Sequence, residues 1–230
     1  MKPNIKIDSL GATSLGLPIF AYDFFFDKNV KNILILGGVH GDEIEGVIAC
    51  KSLMAFFLKN SFFEQEKNKI NILFIPEVNP EGILLKTRGN SQGIDLNRNL
   101  PTKDWSSAFE NPRYNPGNAP CSTEENKILV NVLQERKWDY LISFHSWIPM
   151  LNINGNCSPL VEIIAEQIQY PIEKTVGYPT PGSLGTYAGL ERDIPTLTYE
   201  IEREIRLDKI SQVHVPAVAK AINFFSQNTK

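Results

Sequence analysis

The stretch ILILGGVHGDEIEG, residues 33–46, constrains this chain most strongly. Its unbroken aliphatic run suits a buried strand, and Gly37 and Gly38 then punctuate it. A helical pattern follows, with Ile44, Val47, Ile48, Met54 and Phe57 near one face. Strand, tight turn and helix in that order belong to α/β layer architecture. At the turn the chain sets His40 and Glu43 three residues apart. Either Asp42, Glu43 and Glu45 simply complement the positive end of a helix, or His40 and Glu43 hold a metal.

The same alternation continues along the chain. KINILFIPEVN (69–79), WDYLISFH (138–145) and IPTLTYEI (194–201) read as further strands. STEENKILVNVLQERK (122–137) reads as a helix opened by a capping box of Ser122 with Glu125. SPLVEIIAEQIQ (158–169) reads as a helix capped by Ser158 with Pro159 in its first turn, and VPAVAKAINFF (215–225) as a closing helix. No linker separates two compositions, so a single domain over residues 1–230 is expected. Between Pro80 and Pro120 periodicity fades. Loops of that length are usually functional or disordered, and this one contains TRGNSQGIDLNRNLP, too rich in specific polar groups for a linker.

Composition removes several classes of function. A net charge of −3 argues against a nucleic-acid binder, whose footprint would be a basic patch. MKPNIKIDSL lacks the apolar core of a secretion signal, and LMAFFL is too short to cross a bilayer. Cys50, Cys121 and Cys157 are odd in number and widely spaced, so they signal neither a disulfide framework nor a Cys zinc site. A cytoplasmic chain with no membrane partner is expected.

Three groups of residues could carry chemistry. His40, Glu43 and His145 supply two nitrogens and a carboxylate, the donor set of a catalytic zinc site with one position left open. Their segments end predicted strands, where open α/β sheets place their ligands. Of only three histidines, two lie at strand ends. Glu200, in TYEIE, closes another strand and could serve as general base to a zinc-activated water, although Glu202 and Glu204 crowd the same stretch. Arg88, Asn97 and Arg98 lie in the long loop. One arginine could pair bidentately with a carboxylate and another could stabilise an oxyanion. The plainer alternative is a surface loop in which Asp95 pairs with these arginines.

Taken in order, GGVHGDE, NPEG, TRGNSQGIDLNRNLP, SFH and TLTYEIE resemble the metallocarboxypeptidases of the zinc carboxypeptidase A superfamily, over residues 33–202. That resemblance implies a three-layer α/β/α sandwich around a mixed sheet of about eight strands, with one zinc ion per chain. By position it makes His40, Glu43 and His145 the zinc ligands and Glu200 the general base. It makes Arg88 the oxyanion-stabilising arginine, and Asn97 with Arg98 the pair that binds the substrate's terminal carboxylate. Tyr178 falls where the family keeps a mobile tyrosine over that carboxylate. VGYPTPGSLGTYAG (176–189) is similar to the murein peptide amidase branch, implying a small peptide substrate, the murein tripeptide, cut between γ-D-glutamate and meso-diaminopimelate. NAPCSTEEN departs from that branch's usual pattern. A second enzyme reading is an N-acyl amino acid deacylase, which shares the HxxE and a loop NR; DLNRNLP, NPEG and TPGS favour the peptidase. A non-catalytic peptide-binding module should have lost a ligand or the base, and none is missing. For the far end of diaminopimelate, Arg113, Arg192, Asp193 and Glu202 are candidate partners.

Overall fold

The structure, a computed structural model, describes residues 3–64 and 69–227. Its strands are β1 (Asn4–Ala12), β2 (Pro18–Phe25), β3 (Asn32–Leu36), β4 (Asn71–Ile75), β5 (Tyr140–Trp147), β6 (Met150–Asn154), β7 (Ile172–Glu173) and β8 (Thr196–Glu202). They form one eight-stranded sheet in the order β1-β2-β4-β3-β5-β8-β6-β7. The central strands β4, β3, β5 and β8 run parallel; β1 with β2, β2 with β4 and β6 with β8 pair antiparallel, and β7 pairs parallel to β6.

Period-two alternation builds two cores from the same strands. Ile33, Ile35, Ile72, Phe74, Tyr140, Ile142 and Phe144 point to one face. There they meet helices α1 (Ile44–Lys59), α4 (Leu160–Ile168) and α5 (Val215–Gln227). Leu34, Leu36, Leu73, Ile75 and Leu141 point to the other. They meet α3 (Glu124–Glu135) together with Leu96 and Leu100 from the long loop. This is the expected three-layer sandwich. Each fully buried aliphatic or aromatic side chain contributes about 1.5–3 kcal/mol relative to exposure. A one-residue slip would exchange the two faces, so the register is firmly set.

The structure corrects the sequence reading in several places. Helix α3 is capped by Thr123, whose hydroxyl accepts from the Asn126 N–H, and not by Ser122. Pro159 itself stands at the N-cap of α4, and Ser158 spends its hydroxyl on Glu162 instead. In α1, Ile44 is 44% exposed, and the buried face runs through Val47, Cys50, Leu53 and Phe57. Sequence periodicity did not reveal β1, β2, β6 or β7. The first two form the hairpin edge of the sheet, with Ile5 and Ile7 exposed, so apolar residues do not mark a buried face there.

The long loop holds one short helix, α2 (Pro80–Leu85), and 3₁₀ turns at Leu96–Arg98 and Pro112–Tyr114. Buried amides and carboxylates organise much of the rest. The Asn99 side chain donates to the carbonyls of Pro116 and Ala119 and accepts from the Ser122 N–H. The Asn79 side chain caps α2 by accepting from the Gly82 N–H. Side-chain to backbone bonds of this kind replace a secondary-structure ladder. No helix among the described residues is long and apolar enough to cross a membrane.

Candidate active site

The turn after β3 builds one wall of the site. Gly38 adopts φ +63°, a conformation that disfavours L side chains. Two residues later the chain presents His40, and Glu43 follows at the N-cap of α1. Its carboxylate makes no cap hydrogen bond to the helix. Gly46 lets the helix press onto β5: a Cβ there would stand 2.5 Å from the Phe144 carbonyl oxygen. That contact brings the first turn of α1 against His145. His145 and Glu200 are direct partners in the β5–β8 register, so they project from adjacent positions on one sheet face.

His40 Nδ1 lies 2.9 Å from Glu43 Oε1, and His145 Nδ1 lies 2.8 Å from Glu43 Oε2. The two Nδ1 atoms face each other at 3.0 Å, where at most one of them can donate a proton to the other. All three side chains are buried. Zinc bound at about 2.0–2.1 Å to tetrahedral nitrogen and oxygen donors spaces them about 3.3 Å apart, so little adjustment is needed to fit the ion. The electrostatics agree. Burial and Arg88 push the His40 imidazole pKa down, yet Glu43 and Asp95 outweigh them and raise it. Burial opposes ionisation of Glu43 too, but the neighbouring imidazoles hold it well below the usual carboxylate range. The donor set therefore favours a positive charge at its centre. His, Glu, His is the catalytic zinc pattern, and the residues present fit that metal.

A carboxylate behind the cradle sets its orientation. Fully buried Asp95 receives the His40 Nε2 edge at 3.2 Å and the Arg88 Nε–H at 2.8 Å, and its other bond comes from the Asn97 N–H. Burial raises the Asp95 pKa, but the charges of Arg88 and His40 drive it far below the ordinary range. The sequence reading paired Asp95 with the arginines only as a surface alternative. The pairing with Arg88 is real and lies in the interior. Outer partners of this kind fix the tautomer and angle of a ligating histidine. Asp95→Asn is expected to weaken zinc affinity about 10–100-fold, read by competition with a chelator. Unchanged affinity would mean that Asp95 does not support the ligand.

Glu200 stands beside the cradle with Oε2 buried and without a hydrogen-bond partner among the described residues. Burial, with the charge of Glu43 adding, pushes its pKa up to about 7 against the opposing charges of His145, Arg88 and Arg203. His40, Glu43 and Glu200 line a cavity of about 290 Å³ together with Arg88, Asn97, Arg98 and Tyr178, and His145 backs it through its contact with Glu43. Arg98 is 5% exposed and makes no ion pair among the described residues; its Nη1 donates to the Asn97 carbonyl. The Asn97 Oδ1 accepts from the Leu184 N–H, which leaves the amide donors available. Tyr178 sits half-exposed at the rim, near Tyr114, Trp147 and the Arg98 guanidinium.

Sequence reasoning missed Asp95 as a support, and missed Arg203, Lys174 and Trp147 in the lining. Arg203 was hidden inside the acidic run EIERE; its position three residues past Glu200 was the available signal. Of the four candidates for the far end of diaminopimelate, only Arg113 lines the cavity. Arg192 instead stacks on the Tyr187 ring and donates to the Tyr187 carbonyl.

Comparison with known proteins agrees with this geometry. The zinc carboxypeptidase family matches residues 1–158. Murein peptide amidase A of Vibrio campbellii is 28% identical over 224 residues, covering 91% of this chain and 84% of its own. The crystal structure of murein-tripeptide amidase from Escherichia coli O157 superposes with a TM-score of 0.75 at 25% identity, over 97% of this chain and 93% of its own. Carboxypeptidase A from Helicoverpa armigera shares the fold alone, with a TM-score of 0.76 at 17% identity over 97% of this chain and 68% of its own. With the family matched over most of its length, the chain belongs to the zinc carboxypeptidases, a family of hydrolases.

Proposed function

We propose that this protein is a zinc-dependent amidase that releases meso-diaminopimelate from the murein tripeptide L-Ala-γ-D-Glu-meso-diaminopimelate. The observation that carries the reading is the meeting, around one cavity, of His40 and Glu43 backed by His145, buried Glu200 and an Arg98 with no acidic partner among the described residues. The two murein amidases that this chain resembles support the choice of substrate. The reading places the protein in the cytoplasmic recycling of cell-wall peptides.

His40, Glu43 and His145 would hold one zinc ion per chain, which when bound polarises a carbonyl and brings the pKa of a water to about 7. Glu200 accepts the attacking water's proton on its free Oε2 and passes it to the departing amine. A buried carboxylate with an unpaired oxygen beside the water can take and return a proton. Arg88 has its Nε on Asp95 and its Nη1 on Glu43. Its remaining N–H groups serve the oxygen that gains negative charge, and their preorganisation avoids reorientation during the reaction. Arg98 and the Asn97 amide bind the carboxylate beside the scissile amide, and Tyr178 closes over it.

Masking that carboxylate tests the reading. Extending the tripeptide with D-alanine turns the acceptor into an amide and adds bulk. Losing one partner of a buried charge-assisted pair costs about 2–5 kcal/mol. The tetrapeptide should therefore be cut about a hundredfold more slowly, or worse, measured as kcat/KM side by side. Equal rates would exclude exopeptidase action, and a strong preference for N-succinyl or N-acetyl amino acids would favour the deacylase.

A further inference from the structure

The cavity has a closed end and an open end. Asn152, Ser183 and Gly185 are buried, and Asn154 and Thr198 half-buried, at the closed end. Arg113 and Arg203 lie at the mouth, their side chains 42% and 35% exposed. β8 runs out of the sheet past Glu200, and three residues on it delivers Arg203. The Arg203 N–H donates to the Trp147 carbonyl, which fixes the residue at the end of β5. A terminal leaving residue fits the closed end, so the acyl half of the substrate must leave through the mouth.

The two arginines are gathered by one carboxylate. Asp42 Oδ2 accepts from Arg113 Nη2 at 2.8 Å and from Arg203 Nη2 at 3.2 Å. Arg203 Nη2 also donates to the Asp42 carbonyl at 2.8 Å. Two guanidiniums against one carboxylate leave a net positive charge. Each fork also keeps its Nε and Nη1 donors free of protein partners among the described residues, and these suit a second carboxylate. A γ-linked glutamyl residue supplies one. Its side-chain carboxyl forms the scissile amide, so its α-carboxylate stays free, only a few bonds from the carbonyl under attack. An α-linked peptide whose acyl residue has no side-chain carboxylate has no charge at that place.

Resting on the tripeptide reading, we infer that Arg113 and Arg203, held together by Asp42, form the subsite for the free α-carboxylate of the γ-glutamyl residue. The subsite selects γ-glutamyl acyl donors over peptides whose acyl residue has no carboxylate at that place. It is distinct from Asn97 and Arg98, which take the carboxylate on the leaving side.

The test compares the tripeptide with a counterpart whose glutamyl α-carboxylate is a carboxamide, both assayed for diaminopimelate release. Wild-type protein should favour the acid by about tenfold or more in kcat/KM, a modest factor for a charge pair at a partly exposed rim. In Arg113→Gln/Arg203→Gln the acid-over-amide ratio should collapse toward one, with each single variant in between. Equal wild-type rates on the two peptides, or a ratio that survives the double substitution, would overturn the inference and leave the amidase standing. Release from neither peptide by wild-type protein would overturn the amidase reading as well. The wild-type comparison needs no variant and decides even where a substituted chain fails to fold.

Discussion

Replacing Glu200 with glutamine is expected to lower kcat by about 10²–10⁴-fold, the usual worth of a positioned general acid–base group. Zinc content and KM should stay near their wild-type values. The side chain keeps its shape and its place across from His145 in the β5–β8 register. What disappears is proton acceptance at Oε2, the buried oxygen with no protein partner among the described residues. An effect on kcat without one on KM marks a group needed only as the reaction proceeds. Turnover within a few fold of wild type would move the base elsewhere, with Glu202, outside the cavity lining, the next to test.

Removing a ligand should act at an earlier stage. His145→Ala and His40→Ala each leave one nitrogen and one carboxylate, too few donors for a tight zinc site. Both variants should purify with far less than one zinc per chain and without measurable hydrolysis. In His40→Ala the Arg88–Asp95 pair at 2.8 Å also loses the imidazole that Asp95 supports. Full retention of stoichiometric zinc in both variants would remove His40 and His145 as ligands.

The site was more legible in the sequence than the fold around it. His40, Glu43 and His145 could be picked out because few histidines exist and two end strands, and the structure brings their donor atoms within 4.8 Å of one another. The central strands were equally plain, since both faces of β3 and β4 are buried and their residues are all apolar after the opening asparagines. The outer strands escaped because their cause is not local. β6 follows β5 after two residues, and exposed β7 pairs over only Ile172 and Glu173, so neither shows a period.

Asp95 illustrates a different limit. Its residue type and position permitted a surface ion pair, and only the folded loop shows that it is fully buried and joins His40, Arg88 and the Asn97 N–H. The caps were misplaced by one residue, at Thr123 rather than Ser122 and at Pro159 rather than Ser158. Adjacent hydroxyls compete for such a role, and the Asn99 side chain settles it by accepting the Ser122 N–H and placing Thr123 next in line.

The most direct measurement is release of diaminopimelate from L-Ala-γ-D-Glu-meso-diaminopimelate by purified protein, followed before and after chelation and again on adding back zinc. Release by the zinc-loaded protein is expected, with loss of it on stripping and full recovery with one equivalent of zinc per chain. Release that survives complete removal of the metal, or zinc-loaded protein that leaves the tripeptide intact, would contradict the zinc amidase reading.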